Sequence, residues 1–124
     1  MPTQSEMKAV VQAYVDRFNA KDADGIMDLF ADNAVIEDPV GSPLKSRSEF
    51  ADFVRQGVEF GASLSLSAPI RGSHGNFAAM VFTVTFTQNG KRIVTNSADV
   101  MEFDEAGKIV RMRGFWGPED VTVG

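Results

Sequence analysis

Apolar positions recur at helical spacing in the first half of the chain and at strand spacing in the second. Met7, Val10, Val11, Tyr14, Val15 and Phe18 keep a period near that of a helix behind Thr3-Gln4-Ser5-Glu6, a capping-box pattern, so a first helix is predicted over about residues 4–20. Asn19-Ala20-Lys21-Asp22 breaks it, and Asp22 can cap a second, short helix that buries Ile26, Met27, Leu29 and Phe30 and runs antiparallel to the first. Ala34 to Asp38 reads as a short strand closed by Pro39 and the loop Val40-Gly41-Ser42-Pro43. A second capping box, Ser46-Arg47-Ser48-Glu49, opens a third helix with Phe50, Phe53, Val54 and Val58 on one side, ending near Phe60-Gly61.

From Ser63 onward the period falls to two. Leu64 and Leu66 alternate with serines, and Phe82, Val84 and Phe86 alternate with Val81, Thr83 and Thr85. Gln88-Asn89-Gly90-Lys91 carries the Asn-Gly signature of a tight hairpin leading into a long strand from Ile93 to Phe103. After the turn Asp104-Glu105-Ala106-Gly107, a last strand from Lys108 to Trp116 sets Val110, Met112 and Trp116 on one face against Ile109, Arg111, Arg113 and Phe115 on the other. The pattern predicts three helices and four antiparallel strands in one domain over residues 1–124, an α+β architecture in which a curved sheet wraps around helices.

One position breaks the pattern. In the strand from Ile93 to Phe103, Asp99 shares its face with Ile93, Met101 and Phe103. An unpaired ionised carboxylate on a buried face costs on the order of two or more kcal/mol, so such a group raises its pKa and stays protonated, able to donate a hydrogen bond. The opposite register would turn Asp99 to water and Val100 to the core, and alternation alone does not choose between them.

Composition narrows the chemistry. Twelve Lys and Arg against seventeen acids, for a net charge of -5, with no basic cluster, argue against a nucleic-acid partner. There is no cysteine, and the single His74 sits in the turn-like Gly72-Ser73-His74-Gly75, which argues against thiolate chemistry, a metal site or a Ser-His-Asp triad. The start, Met1-Pro2-Thr3-Gln4-Ser5-Glu6, lacks the character of a secretory signal, and no apolar run approaches the ~20 residues of a membrane helix, so no membrane association and a soluble, cytoplasmic protein are expected. The loop around Gly41 has neither a glycine-rich run nor a following lysine and is not a phosphate cradle.

Two further residues can carry chemistry. Tyr14, the only tyrosine, lies on the apolar stripe of the first helix, where it is either a core aromatic whose hydroxyl meets a backbone carbonyl or a buried donor aimed at a ligand. Asp38, before Pro39, is either a turn-forming residue or an acid presented at a strand end.

Taken together, Tyr14, Asp38 and Asp99, in the order helix, first strand, later sheet strand, resemble the bacterial Δ5-3-ketosteroid isomerases. The likeness covers nearly the whole chain and is most specific over Val35-Ile36-Glu37-Asp38-Pro39-Val40-Gly41-Ser42. The resemblance implies the cone fold of the nuclear transport factor 2-like superfamily, with three N-terminal helices against a curved, mainly antiparallel sheet. It implies a cofactor-free isomerase and a homodimer. Asp38 would be the general base moving a proton from C4 to C6 of a 3-oxo steroid, with Tyr14 and a protonated Asp99 as the oxyanion hole. The family is itself a known case of two carboxyls tuned to opposite protonation states, and these roles are carried over from it. Face alternation offers Phe82, Val84, Phe86, Met101, Met112 and Trp116, with Phe115, as apolar walls for the steroid, and Trp116 as an indole N–H near Asp38. The outer sheet face, with Val94, Ala98 and Val100, would pack against a second copy.

The chain departs from that family in two places. Family members support the oxyanion tyrosine with tyrosine hydroxyls at the end of helix two and in helix three, where this chain has Phe30 and Val54-Arg55, and Arg55 could bring charge to the pocket mouth. The superfamily also contains dehydratases, polyketide cyclases, epoxide hydrolases and noncatalytic association domains, so the fold leaves two rivals: another small-molecule enzyme using Asp38, or a binding module in which Tyr14 and Asp99 satisfy each other.

Overall fold

The computed structural model describes all residues, 1–124. Helix α1 spans Gln4–Asn19 and α3 spans Arg47–Glu59, each opened by a complete capping box, Thr3 with Glu6 and Ser46 with Glu49, in which side chain and backbone satisfy each other's free donors. Between them lie α2, Ala23–Met27, capped by the Asp22 side chain on the Gly25 N–H, then strand β1, Phe30–Glu37, and the two-residue β2, Lys45–Ser46. Strands β3 (Ser63–Leu66), β4 (Phe77–Gln88), β5 (Lys91–Phe103), β6 (Ile109–Phe115) and β7 (Val121–Val123) complete the chain.

The seven strands form one sheet in the order β2-β1-β6-β5-β4-β3, with β7 pairing β5. Every pairing is antiparallel except β1 with β6. The long β4–β5 ladder is closed by Asn89 and Gly90, both at positive φ, the geometry of a tight hairpin turn. It places Met80 opposite Asp99, Phe82 opposite Ser97 and Val84 opposite Thr95. The other edge of β5 is shared: β6 takes Ala98 to Phe103 and β7 takes Ile93 to Thr95. The concave face of the sheet closes over Met7, Val11 and Val15 of α1 and Phe50 and Val54 of α3, which with Met80, Met101, Phe103, Ile109 and Met112 form one buried core.

Three expectations change. The second helix is only five residues long, and Phe30 opens β1 instead, its pairing with Ile109 outweighing a short apolar run that fits either element. The sheet has seven strands, two more than the first strand and the four antiparallel ones expected, because β2 and β7 are too short to show a period, and β1 joins it through a parallel partner more than seventy residues away in sequence. In β6 a register shift between Phe103↔Ile109 and Glu102↔Arg111 turns Ile109 into the core and leaves Val110 half-buried, the reverse of simple alternation. The outer face of the sheet carries Phe77, Val81 and Phe115, each more than two-fifths exposed.

Candidate active site

A cavity of about 480 Å³ opens between α1, α3 and the concave face of the sheet, within the roughly 300–1,000 Å³ of small-molecule sites. At its deep end stand the three residues singled out in the sequence. Tyr14 is buried on α1, its ring edge-on to Phe18 at 5.2 Å and tilted against Phe30 at 6.2 Å. Asp99 is 3% exposed, on the inward face of β5 with Thr95, Ser97 and Met101. Asp38 follows directly on β1, at a loop tied to β6 by the Val40 N–H bonded to the Gly114 carbonyl at 2.8 Å.

The two carboxyls sit in different surroundings. Asp38 accepts a hydrogen bond from the Trp116 indole Nε1 at 3.0 Å, and Lys45 lies close enough to donate to its backbone carbonyl at 3.2 Å. Burial raises its pKa, while the indole and the lysine pull it back down. Asp99 has no such help: burial, and then the charge of Asp38, push its pKa well above the ordinary carboxyl value. Burial and both acids likewise hold the Tyr14 phenol well above its ordinary value. These shifts keep the Tyr14 phenol protonated at neutral pH and favour the protonated, O–H-donating form of Asp99, and neither side chain is hydrogen-bonded to a partner within the chain. Both line the cavity, so both are free for a ligand.

Gly114 makes this arrangement possible and was not foreseen. It pairs with Asp99 across the β5–β6 ladder, and a Cβ at this position would stand 2.7 Å from the Asp38 Cγ and 3.1 Å from the Asp99 Oδ1. The absence of a side chain lets both acids reach the same point. The available signal was a glycine inside a strand, which marks a close approach.

Of the proposed walls, Phe82, Val84, Phe86 and Trp116 line the cavity, but Met101 and Met112 do not. Both methionines are completely buried in the core. Alternation gives their face correctly and their depth wrongly, since they lie on the closed side of Asp99 where the helices pack directly on the sheet. Phe115 points to the outer face, 45% exposed. Further wall comes from Phe53, Phe60, Leu64, Ile93 and Val121, with Gln56 and Gln88 also lining the cavity and Thr95 and Ser97 on the strand of Asp99. Arg55 brings no charge to the cavity; it pairs with Asp52 at 3.1 Å on the surface. Val54 is core, so no hydroxyl from α3 backs Tyr14.

A cone-shaped α+β fold with an acid pair and a phenol at the deep end of an apolar cavity defines a small-molecule enzyme scaffold, and the chain belongs to the SnoaL-like domain family, whose profile matches residues 11–112, within the nuclear transport factor 2-like superfamily. It is 35% identical to the steroid delta-isomerase of Nocardioides simplex over 96% of both chains. It is also 30% identical to the epoxide hydrolase LasB of Streptomyces lasalocidi over 97% of its own length, spanning 44% of that relative. Among solved structures, the epoxide hydrolase/cyclase-like enzyme SalBIII, described for pyran ring formation in the polyether salinomycin, superposes with a TM-score of 0.91 at 29% identity over the full length of both chains.

Two measurements report on this site. The chain has a single tryptophan, so one indole N–H resonance follows Asp38 directly. It should titrate with a midpoint above the ~3.9 of an ordinary aspartate, and Gly114→Ala, by displacing the Asp38 carboxyl, should move that resonance while far-UV circular dichroism is retained. Asp99 should tax stability in a defined pH window. Its folded pKa lies above its unfolded one, so the stability it contributes is complete below about pH 3.9 and lost as pH rises toward the folded value. Asp99→Asn should therefore raise the melting temperature relative to the native chain at pH 7, and the gain should shrink to nothing near pH 4.

Proposed function

We propose that the protein is a steroid delta-isomerase, moving the C5–C6 double bond of a 3-oxo steroid into conjugation with the ketone. The observation that carries this reading is the pair of unengaged neutral donors, Tyr14 and Asp99, facing the cavity end at which Asp38 is held by Trp116. The identity to a steroid delta-isomerase across both full lengths supports it. Asp38, ionised, takes a proton from C4; the C4–H electron pair passes into the ring and negative charge collects on O3, where the Tyr14 hydroxyl and the Asp99 carboxyl donate to it. The protonated Asp38 then returns the same proton to C6. No redox partner is required, and the balance closes within one substrate. Because Phe30 and Val54 carry no hydroxyl, Tyr14 donates its hydrogen bond to the substrate oxygen without a supporting chain behind it.

A second reading is favoured by the likeness to LasB and SalBIII and by the unequal upward pKa shifts of the two acids. Asp99 would protonate an epoxide oxygen as its C–O bond breaks, and Asp38 would take the proton from an attacking hydroxyl or water. The two readings share residues and differ in the ligand.

Ultraviolet absorbance of the conjugated enone formed from 5-androstene-3,17-dione separates them. The isomerase reading expects turnover that falls by ~10²-fold or more in Asp38→Asn, whereas binding of a phenolic steroid is kept or tightened, since the substitution removes the base and a negative charge but no donor to O3. An inert steroid together with ring opening of a hydroxy-epoxide would establish the second reading instead.

We also propose a homodimer formed through the outer sheet face. Phe77, Val81 and Phe115 stand exposed there, with Val94, Ala98 and Val100 half-buried between them, an apolar area that a second copy would cover. Sedimentation at micromolar concentration should give twice the 13.5 kDa chain mass, and Val81→Lys should shift it to the monomer.

A further inference from the structure

The cavity wall is uneven in a way the isomerase chemistry does not require. On the β4 side it is apolar, with Phe82, Val84 and Phe86. On β5, Thr95 and Ser97 continue from Asp99 toward Ile93, placing hydroxyls beside an otherwise hydrocarbon surface. The two hydroxyls differ. Ser97 donates to the Phe115 carbonyl at 3.4 Å, whereas the Thr95 hydroxyl has no partner, although the residue is only 7% exposed. Its neighbours across the two ladders, Val84 and Val121, both line the cavity and offer it nothing to bond. Gln56 and Gln88, the other uncharged polar side chains on the wall, are solvent-exposed and can be served by water.

The Thr95 hydroxyl therefore has only water or a ligand in the cavity to bond, whereas valine has the same shape and an equal liking for a strand. If this position only had to form an apolar wall, valine would do so without placing a polar group on it. Thr95 lies four residues from Asp99 on the same face, so at ~3.3 Å per residue along a curved strand the two groups are roughly 10–13 Å apart.

We propose that Thr95 is a specificity-determining residue that hydrogen-bonds a second oxygen of the ligand, carried on a rigid apolar skeleton about 10–13 Å from the oxygen held by Tyr14 and Asp99. This rests on the steroid reading and deepens it. The preferred ligand is oxygenated at both ends, as a 3,17-dioxygenated steroid is, and not one that ends in plain hydrocarbon. A site built to hydrogen-bond an oxygen rejects the analogue that lacks it more strongly than an apolar wall can.

The test measures binding, so it does not depend on turnover. Estradiol offers a phenol to Tyr14 and Asp99 and a 17β-hydroxyl to Thr95; 17-deoxyestradiol offers the phenol alone. Their affinities for the native chain and for Thr95→Val, measured by calorimetry, form a closed cycle. The expected result is an affinity ratio favouring estradiol that falls about tenfold in Thr95→Val, through weaker estradiol binding with the deoxy compound unchanged. Thr95→Ser, which keeps the hydroxyl, should preserve the ratio, and Thr95→Ala gives a second variant without it. A ratio that is the same in the native chain, Thr95→Val and Thr95→Ala would overturn the proposal while leaving the steroid reading intact. If neither phenol binds the native chain, the steroid reading falls and the role of Thr95 falls with it.

Discussion

The site depends on one unfavourable placement, a carboxyl on the concave, buried face of β5. Burial there, and then the charge of Asp38 nearby, raise the Asp99 pKa well above the ordinary carboxyl value and so favour the neutral acid. Asp38 differs because it sits at the end of β1, where an indole N–H and a lysine offset its burial. Two residues of one type thus have their pKa raised to different degrees by position alone. The rest of the fold holds that difference: the β4–β5 ladder sets which way Asp99 points, the Val40–Gly114 bond pins the loop of Asp38, and Gly114 removes the atoms that would hold the acids apart.

Much of this was legible because strand alternation and helix periodicity report which side of an element a residue occupies. Asp99 stood out against Ile93, Met101 and Phe103, and Tyr14 fell on the stripe of Met7, Val11 and Phe18; both face inward in the structure. Periodicity says nothing about distance along the cone. Met101 and Met112 share the inward face but lie where the helices meet the sheet, so they pack the core and the cavity begins on the other side of Asp99. Nor does it reveal pairing partners. The parallel contact of β1 with β6, the bulge that turns Ile109 inward and the short β2 and β7 all depend on contacts between distant segments.

The least legible residues were the least conspicuous. Gly114 in a sequence is a weak point in a strand, and only the two carboxyls converging on it give it a purpose. Thr95 is an ordinary strand residue until both of its cross-strand neighbours prove to be valines on a cavity wall. Such positions have no signature of their own, since their meaning comes from what surrounds them.

An acid, a base and a phenol at one end of an apolar cavity do not by themselves choose a reaction. A neutral carboxyl stabilises negative charge on oxygen whether that oxygen belongs to an enolate or to an opening epoxide, and a carboxylate removes a proton from carbon or from a hydroxyl with the same geometry. What differs between such reactions is where the ligand's other atoms must lie, and that is set by the walls. Here the walls are aromatic and aliphatic along β4 and α3, with a hydroxyl edge along β5. On the steroid reading proposed above, such walls would suit a flat carbon skeleton. The reacting end explains how a proton can move, and the long side of the cavity decides which molecule brings it.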